Sequence, residues 1–134
     1  MEPLHILVVD DEPHIGRIIK TKLEQGPFRV TLAYDGQQAL DALQQHGDVA
    51  LVVLDLMMPR VDGLEVLRRM RAHDEMKRIA TVVLTAVGEE QYQREALGLG
   101  ASEFLTKPFS PKKLYQKVAE LTGTGEHSPA SRSS

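Results

Sequence analysis

The sequence predicts an α/β fold: a single three-layer, doubly wound (βα)5 domain with a parallel five-stranded sheet. Short apolar runs that suit buried strands alternate five times with stretches whose apolar residues recur at helical spacing. Such alternation is typical of a parallel sheet with crossover helices on both faces. The length of 134 residues suits one compact domain. We therefore place one domain at residues 1–122.

The first two strand–helix units are clear in the sequence. Leu4–Val9 is a continuous apolar strand, and Pro13 begins a helix that ends before Gly26. The second strand alternates apolar and polar residues, which indicates a position at or near the edge of the sheet. A second helix begins after Asp35. The apolar positions of these elements are Ile15, Ile18, Ile19 and Leu23, then Phe28, Val30 and Leu32, then Ala39, Leu40 and Leu43.

Three further strand–helix units complete the pattern. The predicted strands are Val49–Leu54, Ile79–Leu84 and Ser102–Leu105. The predicted helices are Gly63–Arg71, Glu89–Leu97 and a last one that Ser110 caps and Pro111 begins. Their apolar positions are Leu64, Leu67 and Met70, then Tyr92, Ala96 and Leu97, then Leu114, Val118 and Leu121. From Gly123 onward apolar spacing ends, so we expect residues 123–134 to form a disordered tail or linker.

Composition narrows the functional classes. Without cysteine, the chain has neither a disulfide framework nor a thiolate metal site. The net charge of -3 argues against nucleic-acid binding as the main role. The apolar runs are too short to span a bilayer and no signal peptide is visible, so we expect a soluble, cytoplasmic protein that contacts no membrane. The histidines are scattered, and we interpret them as surface or packing residues rather than metal ligands.

Polar residues follow four of the predicted strands. Asp10 and Asp11 come directly after the first strand, Asp55 after the third and Thr85 after the fourth, while Lys107 closely follows the fifth. In an open parallel sheet, ligands bind beyond the carboxyl ends of the strands. Folding should therefore gather these five side chains into one site.

The predicted site suits phosphoryl transfer. Three crowded carboxylates raise each other's pKa unless a cation intervenes, and a hard divalent cation with oxygen ligands would serve. A carboxylate can also act as a nucleophile and form an aspartyl phosphate, while a lysine and a hydroxyl stabilise the phosphoryl oxygens. We choose Asp55 as the acceptor because it stands alone on a central strand. The adjacent Asp10 and Asp11 are better placed to hold the metal.

Four segments together closely resemble the receiver domain of two-component response regulators. They are Val8–Glu12, Leu54–Pro59 with Asp62 and Gly63, Leu84–Ala86, and Gly100–Phe109, in the family's order and spacing. The resemblance covers Leu4 to about Leu121. It implies the strand order 2-1-3-4-5 and a phosphorylation-dependent signalling switch that is not a metabolic enzyme.

The resemblance also implies residue roles. Asp55 would be the phosphoacceptor. The ligands of Mg²⁺ or Mn²⁺ would be Asp10, Asp11, Asp55 and the backbone carbonyl of Met57, with Asp11 binding directly and Asp10 more indirectly. The groups in contact with the phosphoryl group would be Thr85, Lys107 and the backbone of Ala86. The Lys107–Pro108 peptide bond would be cis.

Two further pairs of positions follow from the same resemblance. Thr85 and Phe104 would form the switch, with Thr85 moving toward the phosphoryl oxygen and Phe104 turning inward into the space it leaves. This change would alter the face built from the fourth helix, fifth strand and fifth helix. Met57 and Val87 occupy positions that often tune phosphate lifetime. Both are apolar and unable to orient an attacking water, so we predict slow self-dephosphorylation.

The implied partners are a sensor histidine kinase or a histidine phosphotransfer protein as donor, and an output domain or target protein. Direct nucleic-acid binding is not expected, and we interpret the basic residues Arg60, Arg68, Arg69, Arg71, Lys77 and Arg78 as a solvated face. Transcriptional members often dimerise through acid–base pairs on the last face. Ser102, Glu103, Lys112 and Lys113 depart from that pattern, so homodimerisation on phosphorylation stays an open alternative.

Three other functions are alternatives. The first is a phosphate-independent protein-binding module on a receiver scaffold. An aspartyl-phosphate hydrolase usually carries a second acid two residues after its nucleophile, where this chain has Met57. A flavin-binding protein needs a Ser/Thr/Gly-rich phosphate loop after the first strand, where this chain has Asp10, Asp11, Glu12 and Pro13.

Overall fold

Five strands and five helices alternate along residues 2–58 and 61–124, which are the residues that the structure, a computed structural model, describes. The strands are β1 (Leu4–Val9), β2 (Phe28–Ala33), β3 (Val49–Asp55), β4 (Ala80–Ala86) and β5 (Glu103–Lys107). The helices are α1 (Pro13–Leu23), α2 (Gly36–Gln45), α3 (Gly63–Ala72), α4 (Glu90–Gly98) and α5 (Pro111–Thr122). All strand pairs are parallel, in the order β2-β1-β3-β4-β5. The predicted fold class, strand order and edge position of β2 are confirmed.

The sheet separates two apolar cores, which gives the three layers. Along β1, Leu7 and Val9 face the core beneath α2, α3 and α4, whereas Ile6 and Val8 face the core beneath α1 and α5. This alternation follows from the two-residue period of a strand. The central strands are buried on both faces, which explains why they read as continuous apolar runs.

Three strands, β3, β4 and β5, extend beyond the ends that were predicted from their apolar runs. Asp55 is the last residue of β3, and Thr85 lies inside β4. In the β4–β5 ladder Thr85 pairs with Thr106, and Ala86 pairs with Lys107. Ladder pairing uses backbone N–H and C=O groups, so it continues after the apolar side chains stop. The polar residues therefore belong to the strands rather than to the loops that follow.

Some of the apolar residues that mark the predicted helices are exposed rather than buried. They are Ile18, Tyr92, Leu97 and Leu121. Helix α1 packs on the sheet through its buried residues Gly16, Ile19 and Leu23. Ile18 lies beside this buried stripe and is exposed. Ala96 is the buried residue of α4. A 3.6-residue period marks a helix but leaves the width of its buried stripe to the neighbouring elements.

Side-chain caps fix the beginnings of three helices. Asp35 accepts a hydrogen bond from the Gln38 N–H at 2.8 Å, and Asp62 accepts one from the Glu65 N–H at 3.0 Å. Ser110 caps α5 as predicted. Each cap satisfies a backbone donor that the first turn leaves unpaired. The Asp62 cap also sets where the loop after β3 turns into α3.

The basic residues around α3 are partly neutralised by neighbouring acids. Arg68 and Arg69 lie 3.2 Å and 3.0 Å from the Glu65 carboxylate oxygens. Such exposed pairs suit a solvated face and contribute little to stability. Arg60 lies outside the described residues. In the part of the chain that the structure describes, no helix combines the length and apolar character needed to cross a bilayer.

Candidate functional site

Four charged side chains meet at the carboxyl end of the sheet, and we name them the carboxyl-end cluster: Asp10, Asp11, Asp55 and Lys107. Asp10 and Asp11 follow β1, Asp55 ends the neighbouring strand β3, and Lys107 ends β5. The Lys107 Nζ lies 3.1 Å from Asp10 Oδ2 and 3.2 Å from Asp55 Oδ2. Ligand oxygens of the three acids all lie within 4.8 Å of one another. The fold therefore brings together the acids and the lysine that the sequence predicted.

Burial makes this cluster electrostatically costly. Asp10 is 1% exposed and Asp55 is 5% exposed. Burial raises the pKa of Asp55 to about 6; the Lys107 ammonium opposes the rise and the Asp10 carboxylate adds to it. Burial alone would lower the pKa of Lys107, but the Asp55 and Asp10 carboxylates hold it above its usual value. With all four groups ionised, the excess negative charge favours binding of a cation.

The oxygen atoms of the cluster also suit a metal. Asp10 Oδ1 accepts a hydrogen bond from the Glu12 N–H at 2.9 Å, and Asp55 Oδ1 accepts one from the Met57 N–H at 3.1 Å. Among the described residues, the buried Asp10 Oδ2 has no hydrogen-bond partner of normal geometry, although the Lys107 ammonium lies near it. Carboxylate oxygens with spare lone pairs are the ligands that Mg²⁺ prefers. The residues present therefore fit a hard divalent cation.

The end of β4 lies next to this cluster and is bonded to α4. Thr85 is 1% exposed, and its hydroxyl accepts a hydrogen bond from Gln93 Nε2 at 3.3 Å. The Ala86 N–H donates to Glu89 Oε1 at 2.8 Å. The Thr85 hydroxyl and the Ala86 N–H, which are predicted to contact the phosphoryl group, are thus already hydrogen-bonded to side chains at the beginning of α4.

The other predicted site residues surround the cluster. Phe104 is partly buried against the core beneath α2, α3 and α4. Met57 is 44% exposed and Val87 is 78% exposed. The peptide bond between Lys107 and Pro108 is cis. Both apolar side chains at the predicted tuning positions are therefore open to solvent.

Sequence reasoning missed three side chains near the site. Glu12 Oε1 lies 3.5 Å from the Lys107 Nζ, and Glu89 and Gln93 bond the end of β4. Glu12 directly follows the two predicted metal ligands, so its position in sequence was a usable signal. Glu89 and Gln93 lie four residues apart and share a helix face, but that spacing does not reveal what the face contacts.

A second polar group lies at the opposite end of the sheet, and we name it the amino-end cluster: His5, Arg29, Thr31, His46 and Asp48. His5 is 1% exposed; its Nδ1 lies 2.8 Å from Asp48 Oδ1 and its Nε2 lies 2.7 Å from Thr31 Oγ1. The His46 ring packs edge-on against His5 at 5.0 Å, and Arg29 pairs with Asp48. The interpretation of the histidines as scattered was wrong for His5 and His46, which the fold brings together.

The amino-end cluster is satisfied by the protein's own groups. Donor atoms of His5, His46 and Asp48 lie within 4.8 Å of one another, a spacing that a metal could bridge. However, both ring nitrogens of His5 already have hydrogen-bond partners. We therefore assign this cluster a structural role, because a buried imidazole is stable when both nitrogens are bonded.

Comparison with known proteins decides the family. The sequence model described as response regulator receiver domain matches residues 6–119. This chain is a response regulator receiver domain. The transcriptional regulatory protein SrrA of Staphylococcus aureus is 39% identical over 116 residues, which cover 87% of this chain and 46% of SrrA. The chain therefore spans about half the length of the curated relatives that it matches.

Solved structures agree with the family. The receiver domain of the Francisella response regulator 1452 superimposes with a TM-score of 0.80 at 33% identity, covering 90% of this chain and 97% of that one. The Vibrio cholerae chemotaxis protein CheY4 gives 0.82 at 26% identity, covering 89% and 98%. The resemblance seen in the sequence is confirmed. Receiver domains are phosphorylation-dependent switches of two-component signalling, bind Mg²⁺ at their acidic pocket and work with sensor kinases.

Proposed function

We propose that this receiver accepts a phosphoryl group on Asp55 from a phosphohistidine of a sensor histidine kinase or a histidine phosphotransfer protein. One observation carries the proposal: Asp55 is a 5% exposed carboxylate at the end of the central strand β3. It lies 3.2 Å from the Lys107 ammonium. Its neighbours thus combine acids that suit a metal with a cation that suits phosphoryl oxygens.

The proposed reaction is an in-line transfer. A carboxylate oxygen of Asp55 attacks the phosphorus of the phosphohistidine, and an O–P bond forms as the N–P bond breaks. The electron pair of the N–P bond stays on the imidazole nitrogen, which is protonated from solvent. Lys107 offsets negative charge on the transferring oxygens. The product is an aspartyl phosphate and a free histidine on the partner.

We assign the metal ligands as Asp10, Asp11, Asp55 and the backbone carbonyl of Met57. Mg²⁺ or Mn²⁺ bound there would offset the negative charge that gathers when a phosphoryl group enters a pocket of acids. The Oδ2 of Asp10, which has only the ionic contact with Lys107 among the described residues, and the raised pKa of Asp55 support this assignment. Asp11 is exposed at the rim of the cluster, where a partly hydrated ion would enter.

The proposed switch joins the phosphoryl group to a distant face. Thr85 and the Ala86 N–H would turn to the phosphoryl oxygens, and Phe104 would fill the space that the threonine leaves. Phe104 has no hydroxyl, so its burial leaves no polar atom unpaired. The face of α4, β5 and α5 would then present a changed surface to an output domain or target protein.

Two further expectations belong to this proposal. Met57 and Val87 cannot orient an attacking water, so we propose that the aspartyl phosphate hydrolyses slowly. We also propose that the domain spans residues 1–122 and that residues 123–134 form a tail or a linker. Residues 125–134 lie outside those that the structure describes. Homodimerisation on phosphorylation stays an alternative for the output step.

The test is the intact mass of the protein after incubation with acetyl phosphate and Mg²⁺. We expect one added phosphoryl group, lost in Asp55→Asn and in excess EDTA. The control variant is Asp74→Asn, because the Asp74 side chain is 94% exposed and lies outside the cluster. An adduct that persists in Asp55→Asn, or no adduct on folded protein that binds Mg²⁺, would contradict the proposal. Rapid loss of the phosphoryl group after removal of acetyl phosphate would contradict the slow hydrolysis.

A further inference from the structure

Two side chains at the beginning of α4 hold the end of β4. Gln93 Nε2 donates to the Thr85 hydroxyl at 3.3 Å, and Glu89 Oε1 accepts from the Ala86 N–H at 2.8 Å. We name these contacts the β4–α4 hydrogen-bond pair. The Glu89 contact occupies the Ala86 donor that the proposed function assigns to a phosphoryl oxygen, and the Gln93 contact holds the Thr85 side chain, which must leave Gln93 to turn toward that oxygen.

The turn between β4 and α4 joins the two contacts of the β4–α4 hydrogen-bond pair. Glu89 is the N-cap residue of α4, its N–H donates to the Ala86 carbonyl at 3.1 Å, and its side chain accepts the Ala86 N–H in return. Gln93 follows four residues later, and its N–H donates to the Glu89 carbonyl at 3.1 Å. Residues four apart lie on one helix face. One face of the first turn of α4 therefore contacts both Thr85 and Ala86.

Apolar packing of α4 on the sheet is weak. Ala96 is its buried residue, whereas α3 buries Gly63, Leu64, Val66, Leu67 and Met70. An alanine side chain contributes little apolar area, so polar contacts carry a larger share of the docking energy of α4. Loss of the β4–α4 hydrogen-bond pair would then loosen α4 more than a comparable loss would loosen α3.

The phosphoryl group and Glu89 compete for the same donor. An N–H group makes one strong hydrogen bond, and the Ala86 N–H is bonded to the Glu89 carboxylate. A phosphoryl oxygen at that N–H would also face the negative charge of Glu89, and like charges repel. Glu89 must therefore leave the Ala86 N–H before a phosphoryl oxygen can bind it.

We propose that Glu89 and Gln93 are positioning residues that hold Ala86 and Thr85 in the resting arrangement and oppose phosphorylation of Asp55. Phosphorylation exchanges the β4–α4 hydrogen-bond pair for contacts with phosphoryl oxygens, and this exchange releases the first turn of α4. The inference rests on the proposed function, because it assumes that Thr85 and Ala86 turn to the phosphoryl group. It explains why α4 would be the first element to change when Asp55 is phosphorylated.

The test compares the rates at which wild type and variants are phosphorylated, with acetyl phosphate limiting and Mg²⁺ saturating. Exposed hydrogen bonds to a charged acceptor contribute on the order of 1 kcal/mol, so we expect Glu89→Ala to raise the rate about five-fold. Gln93→Ala should raise it by about two- to five-fold, since its bond is between neutral groups. The controls are Glu90→Ala, which removes the same charge one residue later, and Gln91→Ala; both residues are exposed.

A second measurement tests the same contact without phosphorylating the protein. Hydrogen exchange of the Ala86 amide, followed by NMR in the resting protein, should accelerate in Glu89→Ala and stay unchanged in Glu90→Ala. Unchanged rates and unchanged exchange in Glu89→Ala would overturn the inference, as would an equal rate increase in both glutamate variants. If wild type takes no phosphoryl group, the proposed function fails; the exchange data then still decide whether Glu89 holds the Ala86 amide.

Discussion

The two ends of the sheet hold buried polar groups in opposite ways. At the carboxyl end, burial raises the pKa of Asp55 to about 6, and the buried Oδ2 of Asp10 has no hydrogen-bond partner of normal geometry among the described residues. At the amino end, both ring nitrogens of His5 are bonded, and the His5 hydrogen bond holds the pKa of Asp48 below its usual value. The acids of the carboxyl-end cluster outnumber the nearby lysine, whereas both ring nitrogens of His5 in the amino-end cluster have partners.

The difference between the two ends lies in how far buried charge is offset. A buried charge is unfavourable unless partners offset it. The carboxyl-end cluster sets three acids against Lys107, whereas the amino-end cluster balances Asp48 between His5 and Arg29. We therefore expect removal of an acid to have opposite effects on stability at the two ends.

The largest expected effect is at His5. His5→Ala removes a fully buried ring and both of its hydrogen bonds, so we expect the free energy of unfolding to fall by about 2–4 kcal/mol. Urea unfolding measures this change. The control is His14→Ala, because His14 is exposed on α1, and its effect should stay within about 0.5 kcal/mol. Equal effects of the two variants would mean that the amino-end cluster does not stabilise the fold.

The second prediction concerns Asp55. Asp55→Asn removes a destabilising buried charge, so we expect the metal-free protein to gain about 1–2 kcal/mol in unfolding free energy at pH 7.5. The folded pKa of about 6 lies above the ordinary value of 3.8. The penalty is therefore fully present above pH 6 and disappears as pH falls toward 4.

Urea unfolding in EDTA at pH 7.5 and pH 4.5 measures this difference. The advantage of Asp55→Asn over wild type should shrink at the lower pH. Asp74→Asn, at an exposed acid, should show no such advantage. A destabilised Asp55→Asn at pH 7.5 would show that the contact with Lys107 outweighs the cost of burial, and the comparison between the two ends would fail.

The smallest expected effect is at Asp48. Asp48→Asn keeps an acceptor for His5 but loses the charge, so we expect a small fall in the urea midpoint at neutral pH. The pKa of Asp48 is lowered, mainly by the His5 hydrogen bond. Its contribution is therefore present above pH 3.8 and is lost as pH falls through the lowered pKa. Wild type and variant should converge in strong acid; a stabilised variant at neutral pH would contradict the prediction.

Much of the fold and of the carboxyl-end cluster was predictable because both depend on local patterns. A strand or helix shows its period over a few residues, and parallel strands place their carboxyl ends at one edge. Asp10, Asp55 and Lys107 could thus be placed together before any contact was known. The family's motifs then supplied roles that remain proposals for each residue.

Other features depend on contacts between distant segments. The sequence specifies that charged groups stand at or directly after the ends of β1, β3 and β5, because each strand carries its own signal. It does not specify that Gln93 reaches Thr85, or that His5 meets Asp48 across 43 positions of the chain. Those contacts arise only after the helices dock on the sheet, since the angle and depth of docking are set by packing of the whole core. Local sequence therefore determines the strands and helices and the edge of the sheet at which the site forms. Tertiary packing determines which polar groups find hydrogen-bond partners.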